Sequence, residues 1–135
     1  MRADVVAQAD VDAVWPVFAQ QVVECLRKTP NPDYSAGDYW TMCRSGMAFM
    51  VVAHDGTDFV GMTIWRFEGG KFCCLLLVGE SIRDWLGPLV VKAGEIGRRG
   101  GAESLIANGR KEFGALFKRA LPGAKIIRQT YEVAI

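Results

Sequence analysis

The stretch Lys71 to Arg99, KFCCLLLVGESIRDWLGPLVVKAGEIGRR, decides how the rest of the chain is read. It opens with the unbroken apolar run Phe72 to Val78, which is far short of a bilayer crossing and suits a central strand buried on both faces. From Leu86 onward the apolar positions are Leu86, Leu89, Val90, Ala93, Ile96 and Gly97, one face of a helix, with Lys92, Glu95, Arg98 and Arg99 opposite. Arg98 and Arg99 fall in the last turn, where the helix dipole favours cations, and Gly100-Gly101 supplies the left-handed stop. Two starts fit. Either Ser81 and Asp84 form a capping box and Pro88 kinks the helix, or Gly87 caps it and Pro88 takes the first helical position. Both place a buried strand directly before a helix, which turns free backbone N–H groups outward from the end of a sheet and attracts phosphate.

The rest of the composition limits what can surround this unit. The chain has 135 residues, 50% of them hydrophobic and 23% charged, enough for one core and one domain spanning 1–135. A net charge of +1 without long basic runs argues against nucleic acid as a partner. MRADVVAQAD has no apolar centre and does not read as a signal peptide, and no segment has the length of a membrane span. Cys25, Cys43, Cys73 and Cys74 show no CxxC spacing, and the single histidine is His54, so no zinc site is expected. Cysteines in an apolar run act as small hydrophobes, and together these features point to a reducing, cytoplasmic setting.

Working outward, Arg2 to Val6 reads as a short strand. Asp10 or Asp12 then caps a helix with Val14, Trp15, Phe18, Val22, Cys25 and Leu26 on its apolar face, with Pro16 tolerable only in the first turn. Pro30-Asn31-Pro32 breaks the chain before a second helix, started by Asp33 or Ser35 and ended by Gly46. Met47 to Ala53 and Phe59 to Phe67 form a hairpin about Asp55-Gly56, and Gly69-Gly70 turns into the central run. Ser104 to Ala107 is a brief strand. Lys111 to Leu121 is a helix stopped by Pro122-Gly123, and the alternating Ile127, Tyr131, Val133 and Ile135 make one last strand. The order β α α β β β α β α β describes a mixed α/β domain built on a mixed sheet.

That order, with Ala9-Asp10-Val11-Asp12 leading into the first helix, the Asp55-Gly56 hairpin, Arg98-Arg99-Gly100-Gly101-Ala102 and Pro122-Gly123, resembles the GNAT-type N-acetyltransferase fold. In that family the turn before the third helix reads (Gln/Arg)-x-x-Gly-x-(Gly/Ala) and holds the pyrophosphate of acetyl-CoA. With Arg83 at the first position, Leu86 and Pro88 occupy the small-residue positions, one bulky and the other without an N–H. A tyrosine of the family's last helix protonates the leaving thiolate, seven residues after an asparagine. Setting Arg110 at the asparagine puts Phe117 there, while Asn108 leads to Ala115. The central run offers no carboxylate base before Glu80, and His54 reads as a surface or edge residue.

The expectation is therefore a GNAT-like domain with a degraded acetyl-CoA site and no cofactor, a non-catalytic structural or interaction module. Its length and turn resemble small proteins of tailed bacteriophages, some of them built into the virion, which implies protein partners or self-assembly. Trp85 is the expected interface residue or plug of the cleft, whereas the other tryptophans read as core or interface anchors. The basic edge Arg110, Lys111, Lys118 and Arg119 reads as a solvated helix face. The alternative is an N-acetyltransferase acting on an amine, with acetyl-CoA held by Val78, Gly79, Arg83 and Gly87.

Overall fold

A computed structural model describes the backbone of residues 1–108, 111–127 and 130–135, and the side chains of these except 108, 111–114, 125–127 and 130–132. The elements are β1 (Arg2–Val5), a 3-10 turn (Gln8–Asp10), α1 (Val11–Arg27), α2 (Ala36–Ser45), β2 (Phe49–His54), β3 (Phe59–Glu68) and β4 (Lys71–Gly79). They continue as α3 (Ile82–Arg99), β5 (Ser104–Asn108), α4 (Lys111–Ala120), β6 (Lys125–Ile127) and β7 (Thr130–Ala134). The strands form one sheet in the order β1-β2-β3-β4-β5-β7-β6, so the apolar run of β4 occupies the middle, as its lack of alternation requires. The meander β2-β3-β4 is antiparallel, and β4 pairs with β5 in parallel across the α3 crossover.

Each sheet face carries its own core. Val51, Trp65, Phe72, Trp85, Leu89, Leu105 and Phe117 pack on the face covered by α3 and α4. Val11, Phe18, Val22, Met42, Met50, Met62 and Ile64 pack on the face covered by α1 and α2. Phe72 stacks on Trp65 with ring centroids 5.4 Å apart and meets Phe67 at 4.4 Å. The end of α3 lies so close over this aromatic cluster that a Cβ on Gly97 would come 3.1 Å from the Cβ of Phe72.

Local chemistry sets the ends of α2. Ser35 accepts from the Asp38 amide while the Asp38 carboxylate accepts from the Ser35 amide, a complete capping box, and Gly46 closes the helix at φ 80°. At the hairpin turn, Asp55 Oδ1 accepts from the amides of Thr57 and Asp58. Those bonds hold the Asp55 carboxyl below its ordinary range.

Three expectations need correction. Asp12 is not a cap: Oδ1 accepts from Trp40 Nε1 at 2.9 Å and pairs with Arg44 Nε at 3.0 Å, clasping α1 to α2. Asp10 holds the N-cap position of α1 without a side-chain bond, and Pro16 lies beyond the first turn, so α1 forgoes the bond its amide would have made. The single last strand is two, β6 and β7, with β7 inserted antiparallel beside β5. The chain thus supplies its own seventh strand, and a three-residue strand is too short for periodicity to reveal.

Candidate functional site

The sheet opens at its centre. β4 and β5 pair only from Lys71↔Ser104 to Cys74↔Ala107, after which β4 runs on to Gly79 with β3 as its neighbour. At the same point the β3–β4 register jumps from Trp65↔Cys74 to Ile64↔Leu76, leaving Leu75 as the extra residue of a bulge. Bulges of this kind redirect backbone groups and are common beside active sites. The buried Tyr39 hydroxyl donates to the Leu75 carbonyl at 3.3 Å, and burial pushes its pKa up to about 12. Beside the free end of β4, a cleft of ≈ 690 Å³ extends from Leu77 to Ile82 and is closed by the last turns of α1 through Glu24, Cys25 and Lys28.

At the rim of this cleft the chain turns from β4 into α3. Gly79 has φ 139° and Ser81 φ 54°, and the Asp84 amide donates to the Ser81 carbonyl at 2.9 Å. Ile82 and Arg83 begin the helix, so their amides have no intrahelical acceptor and project from its positive end. Asp84 lies in the first turn of α3 and Glu80 just before its N-cap, and both line one cleft beside the turn. Both carboxylates complement the dipole and repel an incoming phosphate.

The indole of Trp85 fills the inside of the turn. It is 0% exposed, and Nε1 donates to the Glu80 carbonyl at 2.6 Å. It lies over the facing pair Gly61 and Gly79. A Cβ on Gly79 would come 2.6 Å from the Val60 carbonyl oxygen, 2.8 Å from the Gly61 Cα and 2.9 Å from Cζ2 of Trp85. The one glycine of the turn is therefore required by internal packing, and its open side is taken by the protein itself.

These positions correct the expectations for the turn. Because α3 starts at Ile82, Leu86 points into the core at 2% exposure and Pro88 lies in the second turn, so neither reaches the projecting amides. Ser81 holds the N-cap position of α3 and Pro88 lies inside the helix, as the first of the two starts has it, but the Ser81 side chain makes no cap bond, and the start at Gly87 and Pro88 is not taken. Val78 and Gly79 line the cleft and Arg83 is exposed in the first turn of α3, but Gly87 belongs to the helix, away from the turn, and a Cβ there would meet nothing within 4 Å. Trp85 is no surface anchor, since burying its indole and bonding its N–H leave nothing for a partner to grip.

On α4, Phe117 is buried at 3% exposure and carries no proton to donate. Arg110, aligned with the family's asparagine, lies outside the described residues, as do the side chains of Asn108 and Lys111. Among the described residues no three His, Cys, Asp or Glu side chains are grouped to hold a metal ion, and no helix is long and apolar enough to cross a membrane. Sequence reasoning missed two features. One is Tyr39 over the bulge. The other is the contact of His54 Nε2 with Asp4 Oδ2 at 2.7 Å, which joins residues 50 positions apart through a register that no local pattern encodes.

Layered helices on both faces of a mixed sheet, split between its fourth and fifth strands beside a strand-to-helix turn, define the GNAT-type N-acetyltransferase fold. Solved structures agree. A PaiA N-acetyltransferase from Thermoplasma acidophilum, in complex with coenzyme A, aligns over 100% of both chains with a TM-score of 0.64 at 12% identity. A ribosomal-protein-alanine N-acetyltransferase from Brucella melitensis aligns over 100% of both with a TM-score of 0.67 at 17% identity. Tetrahymena GCN5 aligns over 100% of this chain and 96% of its own, with a TM-score of 0.65 at 12% identity. No protein-family profile matches the chain, and no curated protein matches it in sequence.

Proposed function

We propose that this is a GNAT-fold domain that does not use acetyl-CoA and acts as a non-catalytic structural or interaction module. The observation that carries the reading is the packing of Trp85 on Gly61 and Gly79, with its N–H on the Glu80 carbonyl. That packing uses up the close approach a pyrophosphate needs, and Glu80 and Asp84 oppose an anion at the same place. The residues at the turn do not fit the cofactor, and Phe117 offers no acid for a thiolate. A protein of this kind works through protein partners or self-assembly. Its setting in this reading is the host cytoplasm and the assembling particle of a tailed phage, by its resemblance in length and in its altered turn.

The test is a thermal melt with acetyl-CoA at about 1 mM. A ligand with a Kd of about 10 μM would stabilise the fold by about 2.7 kcal/mol. In a domain of this size that raises Tm by about 8–10 °C. An unchanged Tm is expected, and a rise of that order refutes the reading. Size exclusion that finds only a lone monomer in every preparation counts against the assembly role.

A second reading, an acetyl-CoA-dependent N-acetyltransferase acting on an amine, is favoured by the bulge at Leu75 and the parting of β4 from β5 beside the cleft. The same melt decides between the two.

A further inference from the structure

β1 ends the sheet, with β2 as its ladder partner on the inner side. Just past it the Val6 amide donates to the Met50 carbonyl at 2.8 Å, which fixes the phase of that ladder. Successive residues of an antiparallel strand alternate between turning both backbone groups to the neighbour and turning both away. Counting back from Val6, the main chain of Asp4 and Arg2 faces β2, while Ala3 and Val5 aim N–H and C=O outward. An edge of that kind is a template for another strand. The side chains alternate too. Ala3 packs with the core under α3, and Met1 and Val5, 50% and 43% exposed, follow it by alternation. Arg2 and Asp4 take the opposite face, where Asp4 Oδ2 lies 2.7 Å from His54 Nε2 and the Asp4 side chain is still 49% exposed. Read about Ala3, the run Met1-Arg2-Ala3-Asp4-Val5 is self-complementary, with an apolar residue matching an apolar one and the cation matching the anion.

We propose that two copies of this chain pair through β1, antiparallel about a two-fold axis at Ala3, joining their seven-stranded sheets edge to edge. In that register Ala3 exchanges both backbone bonds with the partner's Ala3, and the Val5 N–H meets the carbonyl of the partner's Met1. Arg2 stands opposite the partner's Asp4 in a non-hydrogen-bonded pair, where side chains approach most closely. Charges on an edge strand usually guard it against pairing. Here they are of opposite sign at positions that face one another, so they recruit a copy of the same strand. The other registers are poorer. A shift of one residue sets outward backbone groups against inward ones and forms no ladder. A shift of two sets Asp4 against the partner's Asp4, or Arg2 against the partner's Arg2, and like charges directly opposite are destabilising. A larger shift leaves too little of the strand paired. Because the contact is isologous it closes on itself and the assembly stops at two. A strand of four residues makes a small interface, so the dimer is a reversible one.

Sedimentation equilibrium of the intact protein from about 10 μM to about 1 mM should show a reversible monomer–dimer equilibrium. Ala3→Pro removes an N–H that the ladder with β2 does not use, so the monomer should keep its fold and lose the dimer. Arg2→Asp and Asp4→Arg each set like charges opposite one another across the axis and should each weaken dimerisation about tenfold or more. Mixed in equal amounts, the two charge variants place a cation opposite an anion at both positions, and dimers should return to near the wild-type level. A monomer throughout the concentration range overturns the proposal. So does a dimer that withstands Ala3→Pro, or charge variants that gain nothing from mixing. If Ala3→Pro does not fold, the mixing experiment decides alone. The dimer gives a surface to the self-assembly proposed above and rests on that part of the reading. A dimer indifferent to all these variants keeps self-assembly and overturns this surface, and neither result bears on the acetyl-CoA melt.

Discussion

Replacing Gly61 by alanine tests the packing on which the functional reading rests. A Cβ on Gly61 would lie 2.7 Å from Cε3 of Trp85 and closer still to Cδ2 and Cε2, where carbon atoms prefer about 3.5–4.0 Å. The indole has no room to retreat, because it is fully buried and tied to the Glu80 carbonyl. Overpacking of this kind costs about 3 kcal/mol, the upper part of its usual range. It outweighs the roughly 0.5–1 kcal/mol by which alanine is ordinarily better than glycine in a strand. At roughly 3–4 °C per kcal/mol for a chain of this length, Tm should drop by about 10 °C. Trp85→Ala alone should cost about 4 kcal/mol. In its background Gly61→Ala should cost nothing, or stabilise by up to about 1 kcal/mol, an interaction energy of about 3 kcal/mol. Urea unfolding of the four proteins, followed by far-ultraviolet circular dichroism, measures the cycle without depending on tryptophan emission. If Gly61→Ala costs the same in both backgrounds within about 0.5 kcal/mol, the indole does not occupy the glycine pair and the argument about the turn fails.

Ser35→Ala removes the cap of α2 and should destabilise by about 1 kcal/mol, read as a lower urea midpoint at unchanged slope. Gly100→Ala drives a Cβ into the Phe67 ring at the end of α3; because Phe67 is half-buried and can turn, the loss should be about 1–2 kcal/mol by thermal melt. The buried Tyr39 keeps its proton up to about pH 12, so above the ordinary tyrosine range the unfolded chain binds fewer protons than the folded one. Stability should therefore fall as pH rises through that window, less steeply in Tyr39→Phe, as denaturant titrations at a series of alkaline pH values will report. Burial raises the Cys43 thiol to about pH 12, so mass spectrometry should find Cys43 unalkylated by iodoacetamide at about pH 8 until urea unfolds the chain.

The central unit was legible because its signals are strong and local. The unbroken run before Gly79 is the middle strand, and the periodic positions from Leu86 to Gly97 form the buried face of α3, with Ile96 half-buried among them. The start of α3 stayed open between Ser81 and Gly87 because Pro88 suits either an interior position or the first helical one. A proline in the second turn forfeits a single bond, and Leu86, Leu89 and Val90 more than offset it by burial. Trp85 was read as a plug or an interface residue, and what settles it as the former was hidden for a different reason. Nothing near it in the chain announces that Gly61, in the neighbouring strand, leaves room for an indole, because that complementarity exists only once β3 and β4 are in register. Asp12 was misread in the same way, since an acid at the start of a helix serves a cap or a neighbouring helix equally well by pattern.

The short parallel seam between β4 and β5 also bears on how the molecule comes apart. Four facing pairs, Lys71↔Ser104 to Cys74↔Ala107, join the β1–β4 half of the sheet to the β5–β7–β6 half, with α3 as the splint across them. The two ladders that flank the seam, β3–β4 and β5–β7, are longer, so separation of the two halves should begin along it, the carboxy-terminal strands leaving with α4 before the β2–β4 meander yields.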